Sequence, residues 1–168
     1  VEAGKAILEH YNAGSRECTE KQDGSPLTKA DLEANNIILT ELKAQFPDDG
    51  FLSEESEDDK ERLQKDLVWI IDPLDGTKEF LARNGEFTVN IALVSGSKSI
   101  MGVVYVPFYE ELFYAVEGQG AFLEKNNQVT QIFVSKQNVV TKMVLVRSVH
   151  HATQKLLDFI KTHQFAEV

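Results

Sequence analysis

Two aspartates, Asp72 and Asp75, lie three positions apart at the end of an apolar run over residues 67–71. The run predicts a buried strand that ends where the carboxylates begin. Pro73 stands between the aspartates and favours an extended backbone at Asp72. Together with the carbonyl of Leu74, the two carboxylates are hard oxygen ligands of the kind that Mg²⁺ prefers. This segment therefore predicts a metal site at the end of a strand.

The residues that follow predict an anion site beside those ligands. Gly76 permits a sharp change of chain direction, and Thr77 opens a short helix predicted over residues 78–83. Backbone N–H groups at the amino end of a helix bind phosphate readily, so the Gly76 and Thr77 amides are candidate phosphate-binding groups. Lys78 either adds a cation near that phosphate or is a solvated helix residue. Taken alone, the segment is equally well explained as a turn after a core strand.

The sequence Asp72-Pro73-Leu74-Asp75-Gly76-Thr77 resembles the metal-binding signature of the lithium-sensitive, Mg²⁺-dependent sugar-phosphate phosphatases. That superfamily includes inositol monophosphatase, fructose-1,6-bisphosphatase and 3'(2'),5'-bisphosphate nucleotidase. The continuation, Lys78-Glu79-Phe80 and then residues 83–93, most resembles the bacterial bisphosphate nucleotidase branch, because inositol monophosphatases usually carry a Thr-Asn-Phe-type continuation. Haloacid-dehalogenase-type phosphatases have one residue fewer between their aspartates, which would put the nucleophile out of register here.

The resemblance also assigns roles to residues from earlier segments. Asp31, at the end of Thr28-Lys29-Ala30-Asp31, matches an aspartate that helps to hold a catalytic metal and activates water. Glu54 matches the first glutamate of a Gly/Ser-Glu-Glu motif, which is a metal ligand, whereas Glu55 either supports the site or is exposed. Without the resemblance, Asp31 would be taken as a charge in the first turn of a helix, and Glu54 as a surface charge.

The resemblance implies a phosphoric monoester hydrolase that uses metal-activated water, with no covalent phospho-enzyme. Its catalytic residues would be Asp31 and Thr77, which would orient and deprotonate the water. Two or three Mg²⁺ ions would be held by Glu54, Asp72, Asp75, the Leu74 carbonyl and Asp31. The implied substrate is adenosine 3',5'-bisphosphate, which would lose its 3'-phosphate, and Arg147 and Ser148 match a segment that lies near the nucleotide.

Two alternatives to the bisphosphate nucleotidase stay open at this point. One is an inositol monophosphatase or broad sugar phosphatase, and the other is a catalytically silent metal- or phosphate-binding domain. The family's later Gly-Ser-Ser-x-Lys and Trp-Asp-x-x-Ala-Gly motifs do not occur in these 168 residues. We therefore expect low or no activity from the chain as it stands, and an exposed apolar surface that promotes self-association.

The composition excludes several classes of function. The net charge of −10 argues against binding to nucleic-acid polymers or membrane surfaces. No run approaches the length of a membrane span and no signal peptide is visible. These features predict a soluble cytoplasmic protein. The resemblance implies a small phosphorylated substrate, and a homodimer is a further expectation. The His150–His151 pair has no ligands spaced around it, which favours a structural or exposed role.

The hydrophobic pattern predicts helices and a mainly antiparallel sheet, and the resemblance implies an α+β fold of the layered sugar-phosphatase type. Residues 1–138 would form an amino-terminal domain with a largely antiparallel sheet flanked by helices, and residues 139–168 would begin a truncated second α/β domain. Helices are expected over residues 1–14, from a capping box at Thr28 to about residue 45, and over 153–163. Strands are expected over residues 51–52, 67–71, 87–93, 100–106, 112–116, 121–123, 129–134 and 144–146.

Overall fold

The structure is a computed structural model that describes residues 1–14, 17–21, 23–58, 60–148 and 152–167. The chain forms two compact units, Val1–Ile132 and Phe133–Val168. Among the described residues, no helix has the length and apolar character needed to cross a membrane.

Two helices and a small hairpin open the first unit. Helix α1 (Glu2–Asn12) is followed by a two-stranded antiparallel hairpin, β1 (Cys18–Glu20) and β2 (Pro26–Thr28), and then by α2 (Lys29–Gln45). Both helices confirm the sequence prediction. The sequence does not predict the hairpin, because its strands are three residues long and carry no alternating hydrophobic pattern.

A seven-stranded sheet forms the rest of the first unit, and its strands follow one another in chain order. The first strand, β3, runs parallel to β4, and every other neighbouring pair is antiparallel. The strands are β3 (Gly50–Ser53), β4 (Leu67–Asp75), β5 (Thr88–Ser95), β6 (Lys98–Val106), β7 (Glu111–Val116), β8 (Gly120–Lys125) and β9 (Gln128–Ile132). The predicted α+β class with a largely antiparallel sheet is confirmed. Because β3 and β4 are parallel, their carboxyl ends meet at the same edge of the sheet.

Strand β4 is longer than predicted. The prediction ended it at Ile71, but the strand continues through Pro73 to Asp75. Its pairing with β5 changes register between Asp72 and Asp75. Proline has no N–H to donate to a neighbouring strand, and a local bulge accommodates it without a buried unpaired amide in the ladder. The two aspartates therefore project from a bulged strand end, and the short helix α3 (Thr77–Ala82) follows directly.

The core lies between the helices and one face of the sheet. Helix α1 contributes Ala3, Ile7 and Tyr11, and strands β4 and β5 contribute Trp69, Ile71 and Val89. Phe80 of α3 and Phe87 close this core from the side of the β4–α3 turn, with their ring centroids 5.5 Å apart. The aspartate-bearing end of β4 is thus anchored by buried rings.

The second unit contains α4 (Gln154–His163), which begins after the N-cap Thr153 as predicted. The predicted buried strand over residues 144–146 is wrong, because Val144 is 62% exposed and Val146 is 91% exposed. Among the described residues of this unit, one isolated bridge joins Val144 to Glu167. His150 and His151 lie outside the described residues. The interpretation of residues 139–168 as the start of a second domain stays a prediction.

Candidate active site

Asp31 is fixed by the start of α2. It is the third residue of the helix, and its Oδ2 accepts hydrogen bonds from the backbone N–H of Thr28 at 2.8 Å and from the Thr28 hydroxyl at 2.5 Å. This is the predicted capping box, with aspartate in the place of glutamate. Asp31 is completely buried, and burial raises the pKa of its carboxyl despite the bonds from Thr28 and Thr77.

Thr77 connects Asp31 to the aspartate-bearing strand. Its hydroxyl lies 3.2 Å from Asp31 Oδ1 and 3.3 Å from the Leu74 carbonyl oxygen, so one proton is shared between two acceptors. The preceding Gly76 has φ of 92°, and a Cβ there would lie 2.8 Å from the Glu86 carbonyl oxygen. Only glycine fits this turn without displacing backbone, and the turn is what brings the Thr77 hydroxyl to Asp31.

Asp72 carries the clearest sign of an incomplete site. Its Oδ1 is buried and has no hydrogen-bond partner among the described residues. Burial, followed by the negative charges of Glu54 and Asp75, raises the pKa of Asp72 to about 7. Three carboxylates therefore repel one another at the shared end of β3 and β4. A buried acceptor among like charges is the environment that a bound cation would stabilise.

Glu54 and Glu55 lie directly after β3, on the turn that approaches β4. The Glu54 N–H donates to the Ile71 carbonyl at 3.0 Å, which continues the contact between the two strands. Lys21, from the loop between β1 and β2, donates to Glu54 Oε1 at 2.7 Å and to Glu55 Oε1 at 2.6 Å. The Glu55 side chain is only 5% exposed, and burial raises its pKa although Lys21 acts in the opposite direction. Glu55 is therefore a buried part of this cluster.

Two asparagines hold the carboxylates in place. Asn35, one helical turn after Asp31, is buried and accepts from the Ser53 hydroxyl at 2.6 Å. Its amide also donates to the Ser56 hydroxyl at 3.1 Å, so Asn35 bonds to the residues on both sides of Glu54 and Glu55. On β5, the Asn90 amide donates to Asp75 Oδ2 at 3.1 Å. The site is therefore supported from α2 on one side and from β5 on the other.

The structure brings together most of the residues that the sequence indicated. The connected residues are Asp31, Glu54, Asp72, Leu74, Asp75, Gly76 and Thr77. Lys78 is exposed on the first turn of α3, and Arg147 and Ser148 are exposed residues of the second unit. The catalytic, metal-binding, phosphate-binding and substrate-binding roles of all these residues stay predictions.

Sequence reasoning missed Lys21, Asn35 and Asn90. Lys21 lies in a polar loop whose hairpin geometry was not predicted, so nothing in its spacing pointed to Glu54. Asn35 did have a signal, because it is a polar residue on the apolar face of α2, four positions after Asp31. Asn90 occupies a position in β5 that the alternation marked as polar, and its pairing with Asp72 follows from the register of β4 and β5.

The donor set fits a hard divalent cation. It consists of carboxylate oxygens and one carbonyl oxygen, and it includes the unpartnered Oδ1 of Asp72. As the side chains stand, no group of three His, Cys, Asp or Glu side chains in the described part of the chain is arranged to hold a metal ion. The ammonium of Lys21 supplies the positive charge at Glu54 instead.

The fold and this acidic strand end define a class of phosphatases. The model of the inositol monophosphatase family matches residues 1–166, so this chain belongs to that family. The resemblance found in the sequence is therefore confirmed, and the family consists of generally metal-dependent enzymes.

Among relatives, the 3'(2'),5'-bisphosphate nucleotidase CysQ of Salmonella typhimurium is 49% identical over 119 residues, which are 70% of this chain and 48% of that protein. The protein of the same name from Escherichia coli strain K12 is 40% identical over 161 residues, which are 95% of this chain and 64% of its own length. A histidinol-phosphatase of Chlorobaculum parvum is 34% identical over 142 residues, which cover 84% of this chain and 53% of that protein. This chain thus spans about half to two thirds of these relatives.

Solved structures agree with the family and the fold. CysQ from Bacteroides thetaiotaomicron superposes with a TM-score of 0.71 at 38% identity, over 95% of this chain and 63% of its own. An IMPase from Thermotoga maritima superposes with a TM-score of 0.80 at 30% identity, over 99% of this chain and 62% of its own.

Proposed function

We propose that this chain supports Mg²⁺-dependent hydrolysis of a phosphate monoester, with adenosine 3',5'-bisphosphate losing its 3'-phosphate. The observation that carries the proposal is the buried, unpartnered Oδ1 of Asp72 among the charges of Glu54 and Asp75. The choice of substrate rests on the bisphosphate nucleotidases, which match up to 95% of the chain at 40% identity. The same relatives support a phosphoric monoester hydrolase as the enzyme class.

The proposed metal ligands are oxygen atoms at the carboxyl ends of β3 and β4. Glu54, Asp72, Asp75 and the Leu74 carbonyl would hold two or three Mg²⁺ ions, with Asp31 behind them at the start of α2. When bound, Mg²⁺ supplies a Lewis acid that lowers the pKa of water and neutralises charge on the leaving oxygen.

The protein's own contribution to the reaction centres on Asp31 and Thr77. Asp31 Oδ1 accepts a hydrogen bond from the Thr77 hydroxyl, which orients that hydroxyl. Because burial raises the pKa of Asp31, its carboxylate is a stronger base than an exposed aspartate. We assign this pair to orienting and deprotonating the attacking water. The phosphate-binding role of the Gly76 and Thr77 amides is a further part of the proposal, although α3 is only six residues long and its dipole is correspondingly small.

The direct test is phosphate release in the presence of Mg²⁺. Adenosine 3',5'-bisphosphate, inositol 1-phosphate and histidinol phosphate would be compared on this chain, with Asp72→Asn as the metal-site control. Preference for the bisphosphate, lost in the control and on chelation, supports the proposal. Preference for inositol phosphate or histidinol phosphate keeps the metal site but replaces the substrate.

A catalytically silent metal- or phosphate-binding domain is the second candidate. The chain spans 48% and 64% of two of the bisphosphate nucleotidases that it matches, so the activity of those whole proteins is a proposal for this chain. Divalent-cation binding without phosphate release from any of the three substrates would support this second candidate. Cytoplasmic location and homodimer formation stay predictions under either candidate.

A further inference from the structure

The loop between β1 and β2 positions the Lys21 side chain beside the carboxylates of Glu54 and Glu55. Its backbone N–H donates to the Ser25 carbonyl at 2.8 Å, and its carbonyl accepts from the Gly24 N–H at 3.0 Å. These bonds close the loop between β1 and β2 and direct the side chain toward the turn after β3. The Lys21 side chain is 19% exposed, so most of its surface is covered.

The ammonium of Lys21 takes the position of a bridging cation. It contacts one oxygen of Glu54 at 2.7 Å and one oxygen of Glu55 at 2.6 Å. Glu54 also lies close enough to Asp72 for its charge to affect the Asp72 carboxyl. The Lys21 ammonium would therefore compete for the Glu54 carboxylate with a metal ion that binds Glu54 and Asp72.

We propose that Lys21 is an internal competitor of the divalent cation and that it lowers the metal affinity of this site. Metal binding at Glu54 releases the ammonium from that carboxylate. The competition is reciprocal, so a change that weakens the ammonium–Glu54 ion pair raises the affinity of Glu54 for the metal. The inference rests on the metal site of the proposed function. It adds a residue outside the ligand set that controls how tightly the ligands bind.

Metal binding is expected to loosen the hairpin formed by β1 and β2. In the metal-free protein the Lys21 side chain ties the loop between β1 and β2 to the turn after β3, through two contacts from distant parts of the chain. When a metal displaces the ammonium from Glu54, one of these contacts is lost. The loop then exchanges its amide hydrogens faster, although the metal has not bound to the loop itself.

Mn²⁺ is the probe for the affinity test, because free and bound Mn²⁺ are distinguished by electron paramagnetic resonance. Lys21→Met removes the charge and keeps an apolar stem. Lys29→Met is the matched control, since Lys29 makes a 2.5 Å ion pair with Glu17 and its side chain is 66% exposed. We expect Lys21→Met to bind Mn²⁺ at least about threefold more tightly than the wild type, and Lys29→Met to bind it unchanged.

The outcomes separate this inference from the function on which it rests. If the wild type binds Mn²⁺ and Lys21→Met binds it equally or more weakly, Lys21 is not a competitor. If no variant binds Mn²⁺, the metal site itself is absent and the proposed function fails with it.

A measurement on the wild type covers the case in which Lys21→Met does not fold. Hydrogen exchange of residues 18–28 would be recorded with and without Mn²⁺, with the strands β7 and β8 as an internal reference. Faster exchange of the hairpin on metal binding supports the proposal. Unchanged or slower exchange, in a protein that has bound Mn²⁺, overturns it.

Discussion

The charge of Asp72 depends on what surrounds it. Without a cation, burial and the carboxylates of Glu54 and Asp75 raise its pKa to about 7 from an ordinary value of 3.8. The unpartnered Oδ1 adds to this cost, because a buried acceptor without a donor loses its hydration. In the metal-free protein, ionisation of Asp72 therefore lowers the stability of the folded state.

The first prediction concerns the pH dependence of stability in the absence of metal. Between pH 4 and pH 7 the folded state binds more protons at Asp72 than the unfolded state does, so the free energy of unfolding falls as the pH rises. We expect a fall of about 1–2 kcal/mol from this group after allowance for solvent screening. Urea denaturation in a chelator should show a flatter pH profile for Asp72→Asn. Parallel profiles for the two proteins would contradict the assignment.

The second prediction concerns the hydroxyl of Thr77. Thr77→Val removes the group that donates to Asp31 Oδ1 and is expected to lower kcat by at least about 100-fold, the lower range for a proton-transfer group. Thr77→Ser keeps the hydroxyl and should retain most of the activity. Mn²⁺ binding is measured on both variants, since unchanged binding with a lost kcat separates catalysis from metal retention. Equal activity of the two variants would remove Thr77 from the mechanism.

At the scale of elements, the site depends on a hydrogen-bonded strut between α2 and the turn after β3. Asn35 accepts from Ser53 and donates to Ser56, and both serines flank the two glutamates. Because Asp31 and Asn35 lie one turn apart on the same helix, the position of Asp31 and the position of Glu54 are set by one rigid element.

The third prediction tests this strut. Asn35→Ala leaves the buried Ser53 hydroxyl without its acceptor and removes the bond to the exposed Ser56, and it should lower the free energy of unfolding by about 1–3 kcal/mol. Mn²⁺ affinity should fall as well, because the turn that carries Glu54 loses its support. Asn36→Ala is the control, since the neighbouring Asn36 is exposed, and it should change stability by no more than about 0.5 kcal/mol. Equal effects at the two positions would show that Asn35 has no special role.

The elements were predictable to the extent that their signals are local. The α2 start, with its capping box at Thr28 and Asp31, and the alternating pattern of β5 both follow from spacing within a few residues. The extension of β4 through Pro73 did not follow, because the register change that tolerates proline is a property of the paired strand. The contacts of Lys21 depend on a hairpin too short to carry a pattern.

The predicted strand over residues 144–146 failed for a related reason. Three consecutive apolar residues are compatible with a buried strand, but a strand forms only where a neighbour supplies a full ladder. Within the described residues of the second unit, Val144 finds one bridging partner, at Glu167. The convergence of Asp31, Glu54 and Asp72 could be inferred from the family resemblance, whereas spacing alone could not bring three distant segments together.

At the scale of the whole molecule, a net charge of −10 coexists with an apolar hollow on the sheet. The hollow has a volume of about 550 Å³ and adjoins Asp72 and Asn90. Ile70 is 42% exposed and Val104 is 41% exposed, although both are large apolar residues on strands that are paired on both sides. This matches the expected exposed apolar surface, since an uncovered patch of this kind promotes association.

The fourth prediction is that the chain self-associates through this hollow. Val104→Lys should shift the sedimentation profile toward monomer, because burying an unpaired ammonium in an apolar interface is costly. Val129→Lys, at a 56% exposed position on the outermost strand, is the control and should leave the profile unchanged. A wild type that sediments as a monomer at all concentrations would contradict the prediction.

The long sequence separations within the site have a kinetic consequence. Thr77 and Asp31 are 46 positions apart, and Lys21 and Glu54 are 33 positions apart. Contacts of this range form late, because the chain must close large loops before they contribute stability. During refolding we therefore expect the helical circular dichroism signal of α1 and α2 to recover first. The capacity to bind Mn²⁺ should return with a delay, so the time course of Mn²⁺ binding reports when the first unit has finished folding.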